Sequence, residues 1–240
     1  DTAANLAAGI VTSVTAVNGA GTVASPTATA AQGATLASIS QTIVYNISDT
    51  AANIVANIGG LNESVNIVAT DSCTFAQGKV IEDATNSGSI TYNISDTATA
   101  IATGIGSDNA VISSAGTIAV NTYATVAELE IIGGDGKAII FSVKDTAANL
   151  AGATAARILE AVNVIATTDA TVAQAASIDT NTNAGAGGYN TYNIKDSAAA
   201  IAAKLNAFLE KAGTVTVDGT ATVGQAETLS ALAKAVVYNI

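Results

Sequence analysis

The chain has 240 residues, 49% of them hydrophobic and only 11% charged, with a formal net charge of −11 and no His, Met or Trp. That balance excludes a disordered polyelectrolyte. The few basic residues, the first of them Lys79, make no positive patch for nucleic acid or anionic lipid. No membrane span is expected, because Thr, Ser, Asn and Gly interrupt the uncharged stretch 2–48 before a spanning apolar run can form.

The first element opens at Asp1 with Asp-Thr-Ala-Ala-Asn-Leu, and variants of the same segment return at 49–54, 96–101, 145–150 and 196–201. The Asp positions are 48, 47, 49 and 51 residues apart. A fixed period of this size marks a repeat architecture. The expectation is one array over 1–240, with repeats at about 1–44, 45–91, 92–140, 141–191 and 192–240.

Each copy is entered from a short strand: Tyr45-Asn46-Ile47, Tyr92-Asn93-Ile94, Phe141-Ser142-Val143 and Tyr192-Asn193-Ile194, with Tyr238-Asn239-Ile240 closing the chain. Strand alternation puts the aromatic and aliphatic side chains on one face and Asn on the other. The strand runs into Asp, read as the N-cap of a weakly amphipathic helix. In the second repeat Ile54 and Ile58, four apart, should both point inward, and Gly59-Gly60 should end that helix.

A second strand follows at 64–69, 117–121, 163–167 and 214–217. Next come Thr29-x-x-Gln32, Thr74-x-x-Gln77, Thr125-x-x-Glu128, Thr171-x-x-Gln174 and Thr222-x-x-Gln225, each the pattern of a capping box. Five in phase predict a second helix start, clearest over 226–235 with Leu229 and Leu232 on one face. Each repeat is thus strand, helix, strand, helix, in halves of about 24 residues.

That order implies parallel strands joined by right-handed crossovers. The fold class expected is α/β: a right-handed solenoid of five repeats of about 48 residues with stacked parallel strands. A closed βα ring of about ten units is the alternative. Stacking would align Asn46, Asn93, Ser142, Asn193 and Asn239 as an internal amide ladder, with a ligand-binding row as the competing reading. Tyr45, Tyr92, Phe141, Tyr192 and Tyr238 are read as a packed column in preference to a sugar platform.

Few residues carry chemistry. Cys73 is alone and aligns with Ala28, Ala124, Ala170 and Ala221, so it reads as a small buried residue. Without His the usual general bases and many metal sites are missing. Gly133-Gly134-Asp135-Gly136-Lys137 lacks the full phosphate-loop spacing and reads as a tight turn before a strand over 138–143. Asp179-x-Asn181-x-Asn183 opens like a calcium loop, but Gly185 comes one position late and Asn190 stands where the bidentate Glu belongs. It reads as an insertion loop. Asn46, Asn62 and Asn93 head glycosylation sequons, and only Asn62 avoids a strand-to-helix corner. The Thr-x-Thr pairs Thr27/Thr29, Thr214/Thr216 and Thr220/Thr222 are out of repeat phase, which weakens any likeness to an ice-binding face. No catalytic, cofactor-binding or metal residue is assigned.

The Ser48-Asp49-Thr50-Ala51-Ala52-Asn53-Ile54 segment, entered by an aromatic strand and followed by Thr-x-x-Gln, resembles repeats of very large bacterial surface and secreted proteins, adhesin-like or of the haemolysin type. The resemblance covers essentially all five repeats. It implies an extracellular or cell-surface array without catalytic residues. The Gly-Gly-x-Gly-x-Asp calcium nonapeptide is absent, so calcium dependence is not carried over.

The function expected is therefore that of a non-enzymatic structural repeat protein of an extracellular or cell-surface fibre or layer. Its main competitor is an adhesin-type module that recognises a glycan or another surface through a stacked repeat face. An acid/base hydrolase comes third and would need two non-capping carboxylates in one cleft. The phase of the two ends, a helix start at Asp1 and the strand that precedes it at Ile240, predicts end-to-end self-association of copies. A window of a longer array would present the same phase.

Overall fold

Strand and helix alternate because period-2 segments rich in Ile, Val and Tyr alternate with Ala-rich runs that open on Thr. The structure, a computed structural model, describes residues 2–18, 23–24, 27–39, 42–180, 190–204 and 207–240. It is mixed α/β, and the chain divides into two units: Asp1–Asp96 with Thr103–Ala119, and Thr97–Ala102 with Val120–Ile240.

The first unit holds α1 (Ala3–Asn18), β1 (Val23–Ala24), α2 (Ala30–Leu36), β2 (Ile43–Val44), β3 (Ile47–Asp49) and α3 (Ala51–Ala56). A 3₁₀ turn (Ile58–Gly60), β4 (Ile67–Cys73), α4 (Phe75–Glu82) and β5 (Ile90–Asp96) follow. α5 (Ala98–Ser107) and β6 (Ile118–Ala124) each contribute residues to both units, with α6 (Asn109–Ser114) between them in the first. The second unit continues with α7 (Val126–Ile132), β7 (Ile139–Asp145), α8 (Ala147–Gly152), α9 (Ala155–Ile158), β8 (Val164–Ala166) and α10 (Val172–Thr180). It ends with β9 (Asn190–Thr191), β10 (Ile194–Asp196), α11 (Ala198–Ala202), α12 (Ala207–Lys211), β11 (Val215–Thr220), α13 (Val223–Ser230) and β12 (Val236–Asn239).

Consecutive strands pair in parallel. In the first unit β1 pairs β2, and β3, β4 and β5 follow in order with Ile47 opposite Ile67 and Ile67 opposite Ile90. In the second, Val143 faces Val164 and Val164 faces Asn190, while Ile194 faces Val215 and Val215 faces Val236. The neighbour in the sheet is therefore the strand of the next half-repeat. β4 and β11 each bulge before their helix, between Val68 and Ser72 and between Thr216 and Thr220.

The core repeats with the sequence. Ile47, Ile94, Val143 and Ile194 are buried on the strands, and Ile54, Ile101, Leu150 and Ile201 in the helices that follow. Leu36, Ile81, Ile132, Ile178 and Leu229, each seven residues after a capping Thr, fill the second helices. Tyr238 is only half-buried, but Tyr45, Tyr92, Phe141 and Tyr192 are each buried. Their hydroxyls stay inside by donating to backbone carbonyls: Tyr45 to Gly60 at 2.8 Å, Tyr92 to Val111 at 2.7 Å and Tyr192 to Phe208 at 2.8 Å.

Three local expectations are corrected. α3 stops at Ala56 with Asn57 as its C-cap, and the 3₁₀ turn changes the phase, so Ile54 is buried but Ile58 is 56% exposed. Gly60 does not end the helix. It lies against the backbone of α2, where an added Cβ would sit 2.4 Å from the Gly33 carbonyl carbon. The last helix runs from Val223 to Ser230, not over 226–235, because it begins directly after its capping Thr222. Leu229 is buried and Leu232 only half-buried.

Candidate functional site

The chemistry-bearing side chains gather at the strand-to-helix corners, and there they hold the backbone. All five capping boxes form. Thr29, Thr74, Thr125, Thr171 and Thr222 accept from the amide three residues on, and the Gln or Glu at that position accepts from the Thr amide at 2.9–3.0 Å.

At the other corners the cap is Thr or Ser and not the Asp expected. Thr50, Thr146 and Ser197 are extended and accept from Asn53, Asn149 and Ala200. Asp49 precedes the cap and bridges. One oxygen accepts from the Thr50 amide and the Asn53 side chain, both at 2.8 Å, and the other accepts from Ala30, the first residue of α2, at 3.0 Å. Asp145 repeats the arrangement with Thr146, Asn149 and Val126.

At seven of the corners, the first amide of a helix donates to a side chain on the following strand or its adjoining corner. Ala30, Phe75, Val126 and Val172 reach Asp49, Asp96, Asp145 and Asp196, while Ala51, Ala98 and Ala147 reach Asp71, Thr122 and Thr168. Helical geometry explains this. The first amides of a helix have no carbonyl partner within it, so an acceptor from the next strand fills the vacancy. Burial alone would raise the Asp49 and Asp145 carboxyls, but the donors on each outweigh it and hold both below the usual carboxylate range. Glu128 is likewise held low, burial being outweighed by hydrogen bonds from Thr125 and Thr99.

The amides of the strand row bond to the neighbouring strand in a ladder of shorter step than expected, and the row is not internal: Asn46, Asn93 and Ser142 are half-buried, and Asn193 and Asn239 are exposed. The Asn46 oxygen accepts from the Asn66 side chain at 2.8 Å, and Asn66 in turn from the Ser89 amide at 2.9 Å. Asn93 accepts from the Thr117 amide and Asn193 from the Thr214 amide, at 2.8 and 3.0 Å. Asn46 does not meet Asn93, because the strand of the other half-repeat pairs with its own.

Cys73 is fully buried, as are Ala28, Ala124, Ala170 and Ala221, and its thiol donates to the Asn93 carbonyl at 3.1 Å. Burial pushes that thiol up to about 11, so it is not a thiolate at neutral pH. Gly133 caps the C-terminus of α7, and Gly136, with φ of 82°, makes the turn before β7. Asp179 pairs with Lys211 at 2.7 Å, whereas Asn181, Asn183 and Gly185 lie outside the described residues. Asn62 is exposed and its side-chain oxygen accepts from the Thr85 amide. Among the described residues no group of three His, Cys, Asp or Glu is placed to hold a metal ion, and no helix is long and apolar enough to cross a membrane.

Sequence reasoning missed the inter-strand acceptors Asp71, Thr122 and Thr168, and it missed Tyr123. Tyr123 is half exposed on β6 and borders a groove of about 260 Å³ lined by Val120, Asn121, Thr122 and Ser142. A signal existed: Tyr123 stands where the other repeats carry Ser72, Asp169 and Thr220. No protein-family model, no curated protein and no solved structure matches this chain.

Proposed function

We propose that the chain is a non-enzymatic structural repeat array, a solenoid segment of an extracellular or cell-surface fibre or layer. One observation carries this reading: the corner carboxylates and hydroxyls are spent on backbone amides of the preceding helix, the same task in successive half-repeats. A carboxylate that holds two helix starts is not poised as a general acid or base. In-order parallel pairing of neighbouring half-repeats and the inter-strand amide ladder support a stacked array. The surface location rests on the resemblance of the Ser-Asp-Thr-Ala-Ala-Asn-Ile segment and on the net charge of −11, which favours solubility.

End-to-end association of copies belongs to the same proposal. The parallel pairing of each half-repeat with the next supports it, because the same pairing can continue from the strand of one copy to that of another. The expected partner of the Ile240 end, the Asp1 end, begins with a residue outside those described. Electron microscopy of the purified chain tests the reading: rods or filaments are expected, and uniform compact particles would refute it.

A further inference from the structure

Structural demands recur from repeat to repeat, so residues that depart from their counterparts and also meet in space call for a separate explanation. Four such departures converge beside β6 and β7. Ser142 replaces the Asn found at the equivalent positions 46, 93 and 193, and the shorter side chain borders the groove in front of it. Its hydroxyl still accepts from Asn163 at 3.1 Å, so the ladder survives the shortening.

Tyr123 stands where the other repeats have small polar residues, and it is 50% exposed although Tyr45, Tyr92, Phe141 and Tyr192 are buried. Lys144 is the third departure. Its counterpart Lys195 pairs with Asp218 at 3.3 Å, but Thr167 stands at the position equivalent to Asp218, and Lys144 makes no ion pair among the described residues. The ammonium instead lies 5.7 Å from the Tyr123 ring centroid. Asn121 completes the set, exposed and without a side-chain hydrogen-bond partner among the described residues.

We propose that the groove lined by Tyr123, Asn121 and Ser142, with Lys144 beside the Tyr123 ring, binds an acidic saccharide. The half-exposed aromatic ring offers a face for the C–H side of a sugar ring, and the Asn121 amide and Ser142 hydroxyl suit its hydroxyl groups. Lys144, free of a carboxylate, supplies the charge-assisted bond to a ligand carboxylate. The net charge of −11 opposes an acidic ligand at long range. Salt screens that repulsion beyond about 8 Å, so the local ammonium decides. This site does not depend on the array reading, since a fibre could carry it or lack it.

An array of uronate- and sialate-bearing oligosaccharides with neutral counterparts, probed with the full chain, tests the site. The acidic members should be retained, and Tyr123→Ser and Lys144→Ser should each weaken retention about ten-fold or more, the scale of losing an anchoring contact. Both variants copy residues that other repeats carry at those positions, so their melting temperatures should match the parent. Ser142→Asn should refill the groove and abolish retention without loss of stability. Absence of retention by the parent chain, equal retention by Tyr123→Ser and Lys144→Ser, or equal retention of neutral and acidic sugars would overturn the proposal.

Discussion

A single carboxylate does the most at Asp145, where one side chain satisfies Thr146, Asn149 and the first amide of α7 at Val126. Truncation leaves two backbone N–H groups without their acceptor, one of them on the preceding helix. Asp145→Ala should therefore cost about 2 kcal/mol, within the range for orphaned polar groups. Chemical denaturation with an unchanged m-value checks this, and a loss below a few tenths would show that water replaces the carboxylate. Cys73 carries the opposite lesson. Its thiol is neutral and enclosed, so a thiol reagent should label it only as the protein unfolds.

At the level of the element, helices of four to ten residues predominate, too short to be stable by propensity, and they persist through caps and packing. Thr171→Ala removes the acceptor for Gln174 while the Gln174 side chain still holds the Thr171 amide position. It should cost on the order of 1 kcal/mol. Adding Gln174→Ala should cost less than the sum of the two single changes, because both belong to one reciprocal box. Strict additivity in a double-mutant cycle would contradict that coupling.

For the whole molecule, pH reads two kinds of group, half-buried carboxylates and buried phenols. Asp49, Glu128 and Asp145 have folded values below their ordinary ones, 3.8 for Asp and 4.5 for Glu. Their contribution is complete above those ordinary values and is lost as pH falls through the lower folded values. Burial raises the Tyr45 phenol from 10.0 to about 12, with the Glu63 charge adding to it, and burial raises Tyr92 and Tyr192 as well. Their contribution is complete below pH 10 and is lost as pH rises through the folded values. Thermal melts should be flat from about pH 5 to 9 and fall on both sides. A midpoint that keeps rising below pH 4 would contradict the acid limb. Melts with a chelator and with millimolar calcium should overlay, since Asp179 is engaged by Lys211 and the corner carboxylates by amides. A calcium-dependent rise would reveal a site that this reading lacks.

The alternation of elements, the inward-facing apolar positions and the five capping boxes were legible in the chain, because hydrophobic period and the Thr-x-x-Gln pattern act within a few residues. Cys73 was legible as a core residue through its alignment with four alanines. Which acceptor serves which helix depends on the packing of distant segments. The Asp expected to cap its own helix instead bridges its Thr cap and the helix one half-repeat earlier, a contact across about 20 residues that no local pattern encodes. The same holds for the amide ladder, whose step depends on which strand pairs with which. The exposure of Ile58 depends on where α3 gives way to a 3₁₀ turn, and at Gly60 that turn comes too close to the Gly33 backbone for any side chain. The groove at Tyr123 belongs to this second group, because it exists only where β6 and β7 bring Tyr123, Lys144 and Ser142 together.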